Sequence, residues 1–189
     1  MSGIGVLVVV LGVLVVLGGG IAVAYNSLRR VDLHAQEALA GIDVQLTRRA
    51  DLIPNLVQTV KGYAAHERGV LDEVTSARAA VSAAAGGSSV GERAAAAGQL
   101  DRALVDVLAV AEAYPDLKAS TSFLELQRQL ADTEGQLAFA RQYYNDAVRQ
   151  VNTKATTVPW MWIAPMAGVR QREFYEAPAG QAMPPQVAF

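Results

Sequence analysis

The chain has 189 residues, 52% of them hydrophobic, with 16 basic and 18 acidic side chains and a formal net charge of −2. A charge so near balance, with both signs interspersed, excludes the basic footprint of a nucleic-acid binder. With no cysteine and only two histidines, His34 and His66, disulfides, thiolate zinc sites and cysteine nucleophiles are excluded, and few transition-metal ligands remain.

The first element is a candidate membrane span. Residues 4–25, IGVLVVVLGVLVVLGGGIAVAY, carry no charge, and about 20 apolar helical residues cross a hydrocarbon core of about 30 Å. The valines and glycines form helix poorly in water, but in lipid the backbone must satisfy itself, which enforces a helix. Ala22-Val23-Ala24 resembles a signal cleavage site, yet the apolar run is too long for a signal sequence and no basic residue precedes it. Residues 1–25 therefore read as an uncleaved anchor. Arg29 and Arg30 follow it, so the positive-inside rule predicts a single-pass cell-membrane protein with its N-terminus outside and its bulk in the cytoplasm.

Residues 26–158 read as helical throughout, with no alternating strand pattern. Leu28, Val31, Ala35, Ala38, Ile42 and Leu46 define a first helix continuing the anchor. Leu56, Val60, Tyr63, Ala64, Val70, Val74, Ala77 and Val81 define a second, and Leu100, Leu104, Val107, Leu108 and Ala111 a third. GGSSVG, residues 86–91, reads as the loop between these two. YPD, residues 114–116, ends the third, because proline cannot continue a helix. A fourth helix carries the clearest seam: Phe123, Leu126, Leu130, Thr133, Leu137, Ala140, Tyr144, Ala147 and Val151. The expected fold class is all-α, an N-terminal transmembrane helix followed by an antiparallel up-and-down four-helix bundle.

One passage, RRADLIPNLV at residues 48–57, breaks the pattern. Arg48 and Arg49 suit a helix C-terminus. Asp51 suits an N-cap, and Pro54 then falls in a first turn, where its missing N–H costs nothing. These signals predict a turn at 49–51. The alternative is one continuous helix through Pro54, which would better match the length of the fourth helix.

After the fourth helix, residues 159–177 form an aromatic, apolar stretch that topology returns toward the membrane. Trp160 and Trp162 are candidate membrane-interface residues, since tryptophan favours that boundary. The alternative is that the stretch folds back and caps the helices. Residues 178–189 have the Pro/Ala/Gln composition of a disordered tail.

Several stretches together resemble the LemA family of bacterial membrane proteins: YNSLRRVDLHAQEALAGIDVQL after the anchor, IDVQLTRRADLIPNLVQTVKGYAAHE (42–67), AEAYPDLKAS (111–120), LQRQLADTEGQLAFARQYYNDAV (126–148) and FYEA (174–177). The resemblance covers nearly all of the chain beyond the anchor. It implies one N-terminal transmembrane helix followed by a four-helix bundle in the cytoplasm. It implies no catalytic residue and no cofactor. Some members take part in building magnetosome membranes, which points to membrane organisation.

No catalytic constellation stands out. HERGV, residues 66–70, lacks the second histidine of a zincin. His66 and Glu67 read as a surface pair or an interhelical hydrogen bond; Arg48, Arg49 and Asp51 read as helix termini that could hold an anion. GGSSVG lacks the lysine and the strand of a phosphate loop. The expected function is a membrane-anchored scaffold or adaptor, not an enzyme, with no metal or cofactor. Its expected partners are the lipid bilayer and a second copy or a membrane protein, and no nucleic acid. The alternative is a ligand-sensing or enzymatic bundle with a polar site built from His66, Glu67 or the arginine pair.

Overall fold

The computed structural model describes residues 3–176, so Met1, Ser2, Ala177 and the tail 178–189 lie outside the described residues. The described chain is helical with no strand: α1 (Gly3–Lys61), α2 (Arg68–Ala84), α3 (Val90–Glu112), the single turn α4 (Pro115–Lys118), α5 (Thr121–Thr156) and the short α6 (Trp160–Ile163). The all-α expectation holds, with four long helices in the described residues.

The largest correction concerns α1. No turn interrupts residues 49–51: the helix runs 59 residues and contains Pro54. Arg48, Arg49 and Asp51 are mid-helix residues, not termini. Leu56 and Val60, assigned above to a second helix, belong to α1, and the chain turns at residues 62–67 instead. Two facts make this possible. Pro54 points into solvent, so its ring displaces no core packing. Its missing amide would have bonded the Ala50 carbonyl, and that carbonyl accepts instead from Arg78 Nε of α2 at 3.1 Å. Buried residues continue at three-four spacing through the proline: Ile42, Leu46, Ala50, Ile53, Leu56 and Val60. The part of α1 after the anchor, Asn26 to Lys61, is then 36 residues long, the same as α5.

Helix α3 starts earlier than expected, inside GGSSVG. Ser89 closes a capping box. Its backbone N–H donates to Glu92 Oε2 at 2.7 Å, and its Oγ accepts from the Glu92 N–H at 3.2 Å. Pro115 occupies the start of α4, where it forfeits no helical hydrogen bond. The seam of α5 is as read: Phe123, Leu126, Leu130, Thr133, Leu137, Tyr144, Ala147 and Val151 are buried, and Ala140 half-buried. Leu108, counted above toward the core of the third helix, is exposed.

The chain divides into two compact units, which cut across α1 and α5. One holds the residues up to Ala38 together with Asn145–Glu173. Its core is built from Leu28, Ala35, Ala147, Val148, Val151 and Ile163. It contains the single described helix segment long and apolar enough to cross a membrane, with none of that window covered by protein. The other unit holds Leu39–Tyr144 and, of the described residues that follow, 174–176. There α2 and α3 pack on each other, and Val74, Val81, Leu100, Val107, Phe123 and Leu137 are fully buried or nearly so.

Candidate functional site

Two arrangements concentrate chemistry, one in each unit. The first is a cluster of charges inside the Leu39–Tyr144 unit. Arg49 sits on the α1 face that also carries Leu46 and Ile53, so the helical period turns it inward, and it is buried. Its guanidinium pairs with Asp101 of α3 and lies 2.6 Å from Glu134 Oε2 of α5. Arg141, two turns further along α5, approaches Glu134 Oε1 at 3.4 Å. The Arg141 guanidinium also lies over the ring of Tyr175, 5.4 Å from its centroid. A second pair, Arg93 Nε to Asp43 Oδ1 at 2.8 Å, links α3 to α1 nearby.

Two arginines against two carboxylates leave the interior cluster neutral. Such pairs gain little net stability over apolar residues, since desolvation offsets attraction, but breaking one is costly. Their effect here is to hold α1, α3 and α5 in one register. Burial raises the Tyr175 phenol above its ordinary range, and the neighbouring Arg141 partly opposes the shift. Beside the cluster lies a cavity of ≈ 230 Å³ walled by Arg49, Glu134, Leu104, Leu108, Gln127 and Leu130. Its two charged walls, Arg49 and Glu134, form an ion pair at 2.6 Å.

The other polar candidates are dispersed. Arg48 is exposed and donates to Gln136 Oε1 at 3.1 Å. With Asp51 it lines a hollow of ≈ 630 Å³ closed on one side by Ala85 and Gly86. Glu67, just before α2, accepts from the hydroxyl of Tyr114, just before α4, at 3.1 Å, and this bond raises the Tyr114 phenol. His66 is exposed beside it. The structure therefore does not gather Arg48, Arg49, Asp51, His66 and Glu67 into one site. No group of three metal-ligating side chains gathers among the described residues. Asp101, Glu134 and Arg141 escape a reading of the sequence because nothing local sets them apart from solvent-facing charges such as Arg102 and Asp132, and only tertiary packing joins them.

The second arrangement is the strap that follows α5 in the other unit. Trp160 is half-buried and Trp162 is exposed. Ile163, Ala164, Ala167 and Val169 are buried, whereas Val158, Met161, Trp162 and Met166 face outward. Gly168 ends the helical turn with φ +65°. The Val169 N–H donates to the Ala164 carbonyl and the Gly168 N–H to the Pro165 carbonyl, a Schellman close that needs a left-handed residue at that point. The strap is then tied down. Asn152 of α5 donates to the Arg172 carbonyl at 3.0 Å and accepts from the Arg172 N–H at 2.8 Å. Arg172 reaches Asp32 of α1 at 2.8 Å. Lys154 donates to Ser27 Oγ at 2.7 Å.

A family model described as the LemA family matches residues 38–189. Among curated proteins, the chain is similar to the Magnetosome protein MamQ of Magnetospirillum gryphiswaldense, 24% identical over 180 residues. It is likewise similar to the Magnetosome proteins MamQ 1 and MamQ 2 of Paramagnetospirillum magneticum, each 25% identical over 180 residues. Each match takes in 82% of this chain, which spans 66% of the relative's length. The family match covers well over half of the sequence, and the chain belongs to the LemA family.

Proposed function

We infer that the protein is a membrane-anchored helical scaffold or adaptor that acts by binding, not by catalysis, with its N-terminus outside the cell membrane and its helical body in the cytoplasm. The observation that carries this reading is on α5. One face of that helix is buried, while Phe139, 71% exposed, stacks on exposed Tyr143 with ring centroids 6.4 Å apart. Exposed aromatic residues at a helical i, i+4 spacing are the anchors that helix-docking partners use. The neutral charge cluster supports the same reading, since its arginines and carboxylates pair with one another across α1, α3 and α5. The magnetosome proteins named above are relatives by sequence, and an organising role at a membrane is consistent with them.

A phenylalanine analogue carrying a photo-crosslinker, placed at Phe139 in cells, tests the reading. Irradiated membranes should yield a discrete adduct with a second copy or another membrane protein. A probe at exposed Glu73 of α2 should not. Equal labelling at both positions, or none at either, overturns the scaffold reading. A reporter fused after Phe189 should behave as cytoplasmic; extracytoplasmic activity overturns the orientation.

A further inference from the structure

We propose that Val158–Met166 is a second membrane contact, with Met161, Trp162 and Met166 entering lipid beside the exit of α1 and a rank of cations at the headgroups. The inference rests on α1 crossing the bilayer, and it adds a contact that the span does not require. Three observations carry it, all within the unit that holds the anchor.

The first is level. Lys154 of α5 bonds Ser27, two residues past the end of the apolar run at Tyr25. Asn152, two residues earlier on α5, holds Arg172, which reaches Asp32, five residues later on α1. The two helices therefore run antiparallel here, and α5 advances toward the span. Residues 155–171 leave from the level of Ser27 and return at Arg172, so their excursion lies on the anchor side. Ala24 is 7% exposed between exposed Val23 and Tyr25, so protein covers one side of α1 at the end of the apolar run.

The second is two-sidedness. Buried Ile163, Ala164, Ala167 and Val169 fasten the strap to the protein. Trp162 at 67% and Met166 at 73% exposure face away from it, with Met161 and Val158. A large apolar patch left open on a chain otherwise rich in surface charge marks an interaction surface.

The third is charge. No charged residue lies between Lys154 and Arg170. The uncharged strap is bracketed by Lys154 and Arg170, as the uncharged anchor is closed by Arg29 and Arg30, while the charge of Arg172 is paired with Asp32. Apolar side chains beyond a rank of cations match a bilayer surface, hydrocarbon beyond anionic headgroups. A protein partner would need to reproduce both layers at the same depth.

The chain contains only two tryptophans, both in this strap, so tryptophan fluorescence reports on it alone. The full chain with Trp160→Phe, which leaves Trp162 as the sole tryptophan, is reconstituted into phosphatidylcholine–phosphatidylglycerol vesicles. With acyl chains brominated near the headgroup, Trp162 emission should fall about twofold or more relative to unbrominated vesicles, as expected for an interfacial indole. Aqueous iodide should quench it little. In the same background, Met161→Ser with Met166→Ser should weaken the bromolipid quenching while leaving helicity unchanged. A chain that stays with vesicles through a carbonate wash, yet has Trp162 open to iodide and silent to bromolipid, overturns the second contact and keeps the span. A chain stripped by carbonate overturns the span; bromolipid quenching before that wash would then uphold the contact without it, and silence would overturn both.

Discussion

Arg78 should become dispensable once Pro54 is removed. In an unbroken helix the amide of residue 54 donates to the Ala50 carbonyl; proline has no such hydrogen, and an interior proline costs about 3 kcal/mol or more. Arg78 Nε supplies the missing donor from α2 at 3.1 Å. Hydrogen bonds from charged groups contribute about 1.5–3 kcal/mol, and a buried carbonyl left without a partner costs a similar amount. Arg78→Met keeps most of the aliphatic stem and should lower stability by about 1.5–3 kcal/mol. Pro54→Ala removes a solvent-facing ring and restores the amide, so it should stabilise by about 1–3 kcal/mol. In the Pro54→Ala background, Arg78→Met should cost less than about 1 kcal/mol, because the restored amide now satisfies the same carbonyl. The coupling of about 1–2 kcal/mol is readable in a double-mutant cycle. The assay is urea unfolding of the full chain in mild detergent, followed by ellipticity at 222 nm. If Arg78→Met costs the same in both backgrounds, the carbonyl opposite Pro54 is not what Arg78 serves, and the account of the unbroken helix fails.

Leu137, fully buried on the seam of α5, should cost about 2–5 kcal/mol as Leu137→Ala in the same assay, whereas Phe139→Ala, on the open face, should leave unfolding nearly unchanged. Asp101→Ala leaves Arg49 buried with one carboxylate fewer and should cost about 3–5 kcal/mol; the joint change Arg49→Met with Asp101→Leu should recover most of that loss. Tyr175 carries a phenol pushed up by burial. The folded state therefore holds the proton that the unfolded state releases, and stability is present below the ordinary tyrosine range and lost as pH rises above it. Phenolate absorbance of the full chain should show a late-titrating component that Tyr175→Phe removes; a titration unchanged by that substitution would contradict the buried environment.

The elements legible in sequence are those whose signals are periodic. The seam from Phe123 to Val151 repeats for about eight turns, and each residue reinforces the others, so its helix and its apolar face can be read without reference to anything elsewhere in the chain. The anchor is legible for a similar reason, as an uninterrupted absence of charge. The capping box of α3 is present in sequence too, as Ser89-Val90-Gly91-Glu92, but the two glycines before it suggest a loop. RRADLIPN misleads for a different reason. Every signal in it is local and each points to a turn, while the donor that overrides them sits 28 residues away on another helix. Local rules weigh a proline by the hydrogen bond its own helix loses; a guanidinium arriving from outside does not figure in them.

The same limit explains the site. Arg49 stands out in sequence for its neighbour Arg48, yet the two diverge by one residue's rotation: Arg48 stays in solvent while Arg49 turns into the core to meet Asp101 and Glu134. Whether an arginine beside an apolar seam ends a helix or enters a core depends on what the facing helices present. Helix α3 presents a carboxylate at Asp101, between Leu100 and Leu104 on its buried face, and α5 presents another at Glu134, beside buried Thr133. One acid on each of two helices and an arginine on a third have no meaning singly. Together they favour one alignment of three helices, because a shift of one turn, about 5.4 Å, would leave buried Arg49 and Asp101 without their partners. The interior charges thus act against misregister in a seam otherwise made of interchangeable alanines, leucines and valines. A fixed register is also what holds the outward Phe139–Tyr143 pair in one defined position on the surface of α5.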